Sequence, residues 1–350
     1  MIQQFFEFKK TDRKWHLPIL AGLCVGIPIL AGYYTGHLPE GKLAFLAGLV
    51  ILYLQSQDLA RRMVTLMACS FGIMVSFSVG IIFSFHPIVA SVVLGVYAFT
   101  VHSALFHLKM LRPPGNFFFI MVASMAICQP FDLAFVPEKI GYIGIGTMIS
   151  CILGLIYSFL TLKKSEAGNE VLTINKTKYV NFIESVTFGL FTGLALLMAH
   201  ILELENPYWA PTSCAAVMQG ASTSHVWQRS IQRILGTFIG LVLTWAILLL
   251  HPSLLAISLG IMLLQILVEF LVVRNYGIAV IFITVLTIFL AESGNTLTTS
   301  PTHLIATRFI DILVGSLIGG IGGWLLFNER LHYTATRQLR KNRISATRRK

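Results

Sequence analysis

The chain repeats its own punctuation, and that repetition constrains its fold more than any other feature. Gly22, Leu23 and Gly26 recur as Gly189, Leu190 and Gly193, and Gln55 and Gly72 recur as Gln219 and Gly236. His86-Pro87 followed by Leu94-Gly95 recurs as His251-Pro252 followed by Leu259-Gly260, and Gly154 recurs as Gly319. The offset stays between 162 residues (Arg112 to Arg274) and 167 residues (Gly22 to Gly189), and its small changes fall at loops. Chance matches would scatter the offset, so the pattern reads as a tandem duplication. Duplicated hydrophobic halves are a common architecture of membrane transporters.

Composition says which solvent the two halves occupy. Of the 350 residues 55% are hydrophobic and only 12% charged, against roughly a quarter charged in a soluble domain. The chain lacks the polar surface to be solvated as a globule and reads as an integral membrane protein. Its net charge of +11 does not point to nucleic acid, because the basic residues are patterned. They cluster at Lys9, Lys10, Arg13 and Lys14, at Arg61 and Arg62, at Lys109 and Arg112, and at Lys163, Lys164, Lys176 and Lys178. Further clusters are Arg229, Arg233 and Arg274, and the stretch from Arg330 to Lys350. Each group falls in a cytoplasmic loop if the N-terminus is inside, while the alternate loops hold only Lys42 and Lys139. That is the positive-inside rule, and it sets a bacterial inner-membrane orientation. The basic tail is expected to rest on anionic lipid headgroups. The first apolar run, from Leu17, lacks a small-x-small cleavage site and reads as a span, not as a signal peptide.

Apolar runs fall near 17–35, 43–56, 63–85, 87–108, 116–130 and 140–162, and again near 180–202, 208–222, 231–250, 252–273, 278–292 and 304–327. The expected fold is therefore an all-α membrane protein of about twelve transmembrane segments in two parallel six-segment repeats, with both termini cytoplasmic. Residues 1–165 form the first repeat, 166–330 the second and 331–350 a basic cytoplasmic tail. An even number of segments per repeat gives the halves one orientation, related by an axis along the membrane normal, with a path expected at their interface. The second and fifth segments of each repeat offer only about 11–16 apolar residues, where a span needs roughly 20. Such short segments at matching places point to a binding site if they line a cavity; otherwise they are tilted helices with polar ends. Gly236 and Gly240, and Gly315 and Gly319, have the four-residue spacing that lets helices approach closely in lipid.

The run Tyr208-Trp209-Ala210-Pro211-Thr212, with Arg229, Arg233, Gly236, Thr237 and Gly240 downstream, resembles the signature of the fusaric acid resistance and aromatic acid exporter family, which is distantly similar to the plant aluminium-activated malate transporters. Arg308-x-x-Asp311-x-x-x-Gly315 is similar to that family's late helix. The first half keeps Gln55 and Gly72 but lacks the Tyr-Trp-x-Pro start, and there is no large cytoplasmic domain between the halves. The resemblance implies proton-driven export of organic anions, typically aromatic carboxylates. It names no particular substrate.

Ionisable residues inside apolar segments cost roughly 2.5–3.5 kcal/mol on insertion scales, so those present call for a reason. Arg308 and Asp311 are three apart and share a helix face. They are either a mutually neutralising pair, or a carboxylate-holding guanidinium with a proton-binding acid. Glu269, in the fourth segment of the second half, is a second candidate proton carrier, or one partner of an ion pair with Arg274. Arg229 and Arg233 are snorkelling anchors or a funnel for anions. Tyr208 and Trp209 are interfacial aromatics or a stacking surface for an aromatic substrate. Gln55 and Gln219 are placed to line two sides of a shared path. His102 and His107 are five apart, a poor spacing for one metal. No nucleotide loop, catalytic set or metal spacing is present, so neither an enzyme nor a cofactor is expected. Two other readings use the same residues: a passive anion channel, and a non-transporting membrane scaffold. The broken symmetry is the place to look for the site, since Tyr208, Trp209, Arg233, Glu269, Arg308 and Asp311 have no like residue at the matched first-half positions.

Overall fold

The computed structural model describes residues 8–11, 13–54, 58–110, 113–161, 178–292 and 301–328. Gln55, Arg112, the polar linker from 162 to 177 and the basic tail lie outside the described residues. Among the described residues all regular structure is helical. The α-helices are α1 (His16–Thr35), α2 (Leu38–Gly48, continued by a 3-10 turn Leu49–Tyr53), α3 (Leu59–Ile82), α4 (Pro87–His107), α5 (Phe117–Ile127) and α6 (Val136–Thr161). They continue as α7 (Lys178–Ile201), α8 (Trp209–Met218), α9 (Thr223–Leu248), α10 (Leu254–Leu271), α11 (Tyr276–Glu292) and α12 (Pro301–Leu326).

Local chemistry explains where they start. Asp58, Ser222 and Ser253 accept hydrogen bonds from the backbone N–H groups of Arg61, His225 and Ala256, which satisfies donors that the first turn leaves orphaned. Pro87 stands in the first turn of α4, where the missing N–H costs nothing. The helices lie close to the apolar runs, but they do not all have one role. Eight are long and apolar enough to cross a membrane. The others, α2, α5, α8 and α11, have 11, 11, 10 and 17 residues. A ten-residue helix is about 15 Å long, half of a hydrocarbon core about 30 Å thick. The short helices are inner elements: every residue of α8 is buried, whereas α3 turns Val64, Met67 and Phe71 outward, as a lipid-facing helix does.

Helix pairings in the first six elements have counterparts in the last six. α1 packs on α2 as α7 packs on α8, α2 on α6 as α8 on α12, α3 on α5 as α9 on α11, and α3 on α6 as α9 on α12. Between the halves α4 packs on α7, and α10 packs on α1. Glycine makes these approaches possible. In the α4–α7 contact Gly95 and Gly193 face each other, and a Cβ on Gly193 would lie 3.1 Å from the Gly95 Cα. In the α1–α10 contact the side chains of Met262 and Ile266 fill the space over Gly26 and Gly22. The short helices are gripped in the same way. A Cβ on Gly146 would overlap the Ala44 carbonyl oxygen, and one on Gly315 would overlap that of Ala210.

One helix supplies both test and control. Gly146→Ala should destabilise the protein by about 1–3 kcal/mol through overpacking against α2, seen as a lower thermal midpoint in detergent. Gly141→Ala on the same helix meets nothing within 4 Å and should be neutral, or slightly stabilising from helix propensity.

Candidate functional site

The segments ending at 54, opening at 113, and at 219–222 and 272–275 lie at the basic end of the bundle. Three of them meet there: Tyr53 donates to the Gly115 carbonyl at 2.6 Å, and the Gln219 side chain donates to the Pro114 carbonyl at 2.8 Å. The turns at 83–87, 128–136 and 202–208 define the far end, where a cavity of about 90 Å³ is lined by Ser84, Gln129, His200 and Pro207 among others.

α8 ends inside the protein, so its last carbonyls need partners other than water. The Arg229 side chain supplies one, with Nε donating to the Ala216 carbonyl at 3.1 Å. A guanidinium there also suits the negative end of the helix dipole. Its guanidinium carbon lies 4.1 Å from the Tyr276 ring centroid, while Arg233 donates to the Tyr276 hydroxyl at 3.3 Å. Arg233 is 5% exposed, and its Nε has no hydrogen-bond partner. Two guanidiniums therefore share one phenol, and no carboxylate pairs with either among the described residues. Uncompensated buried charge is costly, so an anion placed between the two would lower that cost.

A second centre lies toward the far end. The Arg308 guanidinium carbon is 3.2 Å from the Trp209 ring centroid, and Nη2 donates to Thr287 Oγ1 at 2.8 Å. Both side chains are almost fully buried, and cation–π contacts are strongest when desolvated. Asp311 is wholly buried, and neither carboxylate oxygen has a hydrogen-bond partner. It stands one turn before Gly315, the residue that touches Ala210, and so beside the first turn of α8. Glu205 lies within electrostatic reach. Arg308 and Asp311 share a face, yet the guanidinium makes its close contacts with Trp209 and Thr287.

The two centres sit at different depths of one bundle. Ser230 on α9 donates to the Ser316 carbonyl on α12 at 3.0 Å; Thr237 is two turns farther along the same face of α9. The polar groups of Ser213, Thr237 and Ser316, together with the indole N–H of Trp209, are buried without partners. Buried polar groups are ordinarily satisfied, so their concentration on α8, α9 and α12 marks this bundle out.

The remaining candidates fall elsewhere. Tyr208 stacks on Trp209 with centroids 4.9 Å apart. Glu269 is paired with Arg13 at 2.8 Å and accepts from Gln265 at 3.2 Å; Arg274 instead donates to the Phe270 carbonyl at 2.8 Å. The expected interface between halves holds a different pair: His102 of α4 stacks on Phe188, bonds Asn116 at 3.0 Å and lies 4.0 Å from Glu184 of α7. Tyr276 and Thr287 escaped the sequence reading, although a tyrosine straight after Arg274-Asn275 and threonines three apart in an apolar run (Thr284, Thr287) were available signals. One expectation needs correcting. Lys139 stands seven residues before Gly146, as Arg308 stands seven before Gly315, and these two glycines make equivalent contacts. Arg308 thus has a basic counterpart, whose ammonium donates to Gln129 at 3.0 Å. Matching Gly154 to Gly319 hides this, since Gly319 packs on Cys214 while the residue bonded to the carbonyl of Gly48, at the corresponding place on α2, is Ser150.

Two comparisons with known proteins find a match. An uncharacterized membrane protein of Bacillus subtilis (strain 168), YvaC, is 38% identical over 147 residues, which are 42% of this chain and 23% of that protein. The chain thus aligns with less than a quarter of the length of this curated relative. No solved structure matches it. Residues 194–322, which contain Trp209, Arg229, Arg233, Tyr276, Arg308 and Asp311, match the model of the fusaric acid resistance protein-like family.

Proposed function

We propose that the protein is a secondary transporter that exports organic carboxylates, aromatic ones included, across the bacterial inner membrane in exchange for protons. The observation that carries this reading is the pair of arginine centres at two depths of one bundle, with partnerless buried polar groups on the helices between them. A carboxylate passing along α8, α9, α11 and α12 would meet a guanidinium at each end, and bidentate pairing suits that chemistry. The Trp209 indole beside Arg308 would favour an aromatic ring over an aliphatic chain. Asp311 takes the proton: an unpaired buried carboxylate is costly, and binding a proton relieves that cost. Loading the proton at Asp311 from the outer face and the anion at Arg308 from the inner face, in alternation, would couple the two.

The reading keeps twelve helices in two parallel repeats, with the four short ones as inner elements, and both termini in the cytoplasm. The matched helix pairings and the paired glycine contacts of α6 and α12 support it. The basic end then faces the cytoplasm and anionic headgroups, and Arg229 and Arg233 receive the anion before export.

Reconstitution tests it directly. Proteoliposomes loaded with benzoate should release it faster under an imposed pH gradient. Arg308→Gln should cut the flux at least tenfold, and Asp311→Asn should leave a residual flux that ignores the gradient. If both variants behave as wild type, the site assignment is wrong. Flux that follows membrane potential alone would make the protein a channel, and no flux above empty liposomes would leave a scaffold.

Binding can be read without transport. A ligand at about 100 times its Kd stabilises the folded state by about 2.7 kcal/mol. Benzoate should therefore raise the thermal midpoint of the wild type, and Arg233→Met should abolish that rise. The same substitution removes an uncompensated buried charge, so the ligand-free variant should melt no lower than wild type.

A further inference from the structure

We infer that residues 8–11 and 13–15 belong to a strap latched across the basic end of the second bundle, and that its release uncovers the Arg229–Tyr276–Arg233 centre. The strap is held at two points. The Lys9 backbone N–H donates to the Arg274 carbonyl at 3.0 Å. The Arg13 guanidinium binds Glu269 twice, with Nη2 at 2.8 Å from the carboxylate and Nη1 donating to the backbone carbonyl at 3.2 Å. The Arg13 N–H donates to Thr11 Oγ1 at 3.2 Å, a local turn that aims the side chain inward.

The place of these contacts gives them meaning. Glu269 is in the last turn of α10, and Arg274 lies two residues before Tyr276 in the turn that delivers it. Lys9 and Arg229 both lie within electrostatic reach of His225 in the first turn of α9. The strap thus runs along the elements that carry the inner arginines and their tyrosine. It is poorly rooted otherwise: Phe8 is 56% exposed and Trp15 66%, and Lys9, Lys10 and Lys14 are also exposed. A segment with few buried contacts opens at far lower free energy than the core. Among the described residues the latch is one ion pair and two hydrogen bonds to backbone carbonyls.

The partners of the latch are not equivalent. Glu269 is 7% exposed at its side chain and Arg13 22%. Removing Arg13 strands a buried carboxylate, whereas removing the charge of Glu269 leaves a guanidinium that can turn to water. Glu269→Gln is therefore the cleaner way to open the latch, and a Lys9→Cys/Arg274→Cys disulfide is the way to hold it shut.

The role of the strap as a gate rests on the anion path proposed above, so the decisive readout is independent of transport. His225→Cys places a thiol beneath the strap, and its alkylation by a charged maleimide is followed at that position by peptide mass spectrometry on the full-length protein in detergent. Glu269→Gln should raise the rate at least fivefold. The oxidised disulfide should lower it by a similar factor, and dithiothreitol should restore it. Equal rates in the latched, unlatched and cross-linked proteins would overturn the strap, and the disulfide arm decides even if Glu269→Gln does not fold. In proteoliposomes Glu269→Gln should raise benzoate flux, with the oxidised cross-link lowering it. Unchanged flux in a protein whose alkylation changes would overturn the gating role, whereas absence of flux in every variant and in wild type would instead overturn the anion path.

Discussion

A ten-residue helix that stops inside a membrane protein leaves backbone carbonyls where water cannot serve them, and much of the second bundle follows from how that end is met. α8 is too short to cross, so it has to be gripped by neighbours and capped by side chains. Gly315 and Gly319 let α12 press against its backbone, and the Arg229 side chain reaches the Ala216 carbonyl. That one bond brings a guanidinium into the bundle. With Arg233 one turn farther along the same helix, Tyr276 becomes the shared partner of two cations. The residue that meets the structural demand is also one to which the proposed path assigns anion binding.

How far this was legible in the sequence depends on whether the signal was local. Apolar run lengths and glycine spacing are local, and they locate nearly all of the helices to within a few residues; α9 begins eight residues before its apolar run because Ser222 caps it. The shortness of α2, α5, α8 and α11 was also visible, though not that α8 would be buried on every side. Contacts between distant elements were hidden. Arg13 reaches Glu269 across 256 positions, and nothing near Glu269 in the chain announces that partner; Arg274, five residues away, was the nearer suggestion. The four-residue slip between Gly154 and Gly319 has the same origin. A helix turned by about one residue period per turn offers glycines at several equivalent registers, and only the facing carbonyl decides among them.

The contacts between halves show the same scaffold solved with different atoms. α4 meets α7 through glycine against glycine, with His102, Asn116 and Glu184 buried beside it. α10 meets α1 through methionine and isoleucine over glycine, with Arg13 and Glu269 at its basic end. A close glycine contact brings backbones together and rigidifies the pair. A contact filled by Met262 is more adaptable, because an unbranched thioether repacks at low cost. The more adaptable of the two is also the one that carries the strap, so movement at the basic end would not require the α4–α7 contact to yield.

The chemical difference between the two bundles then follows from energetics. Counted from Gly146 and Gly315, Lys139 matches Arg308 but Tyr142 stands opposite Asp311; counted from Gly72 and Gly236, Thr65 and Cys69 stand opposite Arg229 and Arg233. The first bundle buries Phe45, Ile73 and Phe77 completely, an apolar core that asks for no ligand. The second buries the Arg233 guanidinium with no carboxylate paired to it among the described residues, and the Asp311 carboxyl without a hydrogen-bond partner. Each such group costs stability wherever it sits, and at three of the four matched positions the first bundle has an uncharged residue, Thr65, Cys69 or Tyr142. Retaining Arg229, Arg233 and Asp311 at these places is therefore an expense that folding does not require. It is intelligible if an anion and a proton complete that bundle in the working cycle.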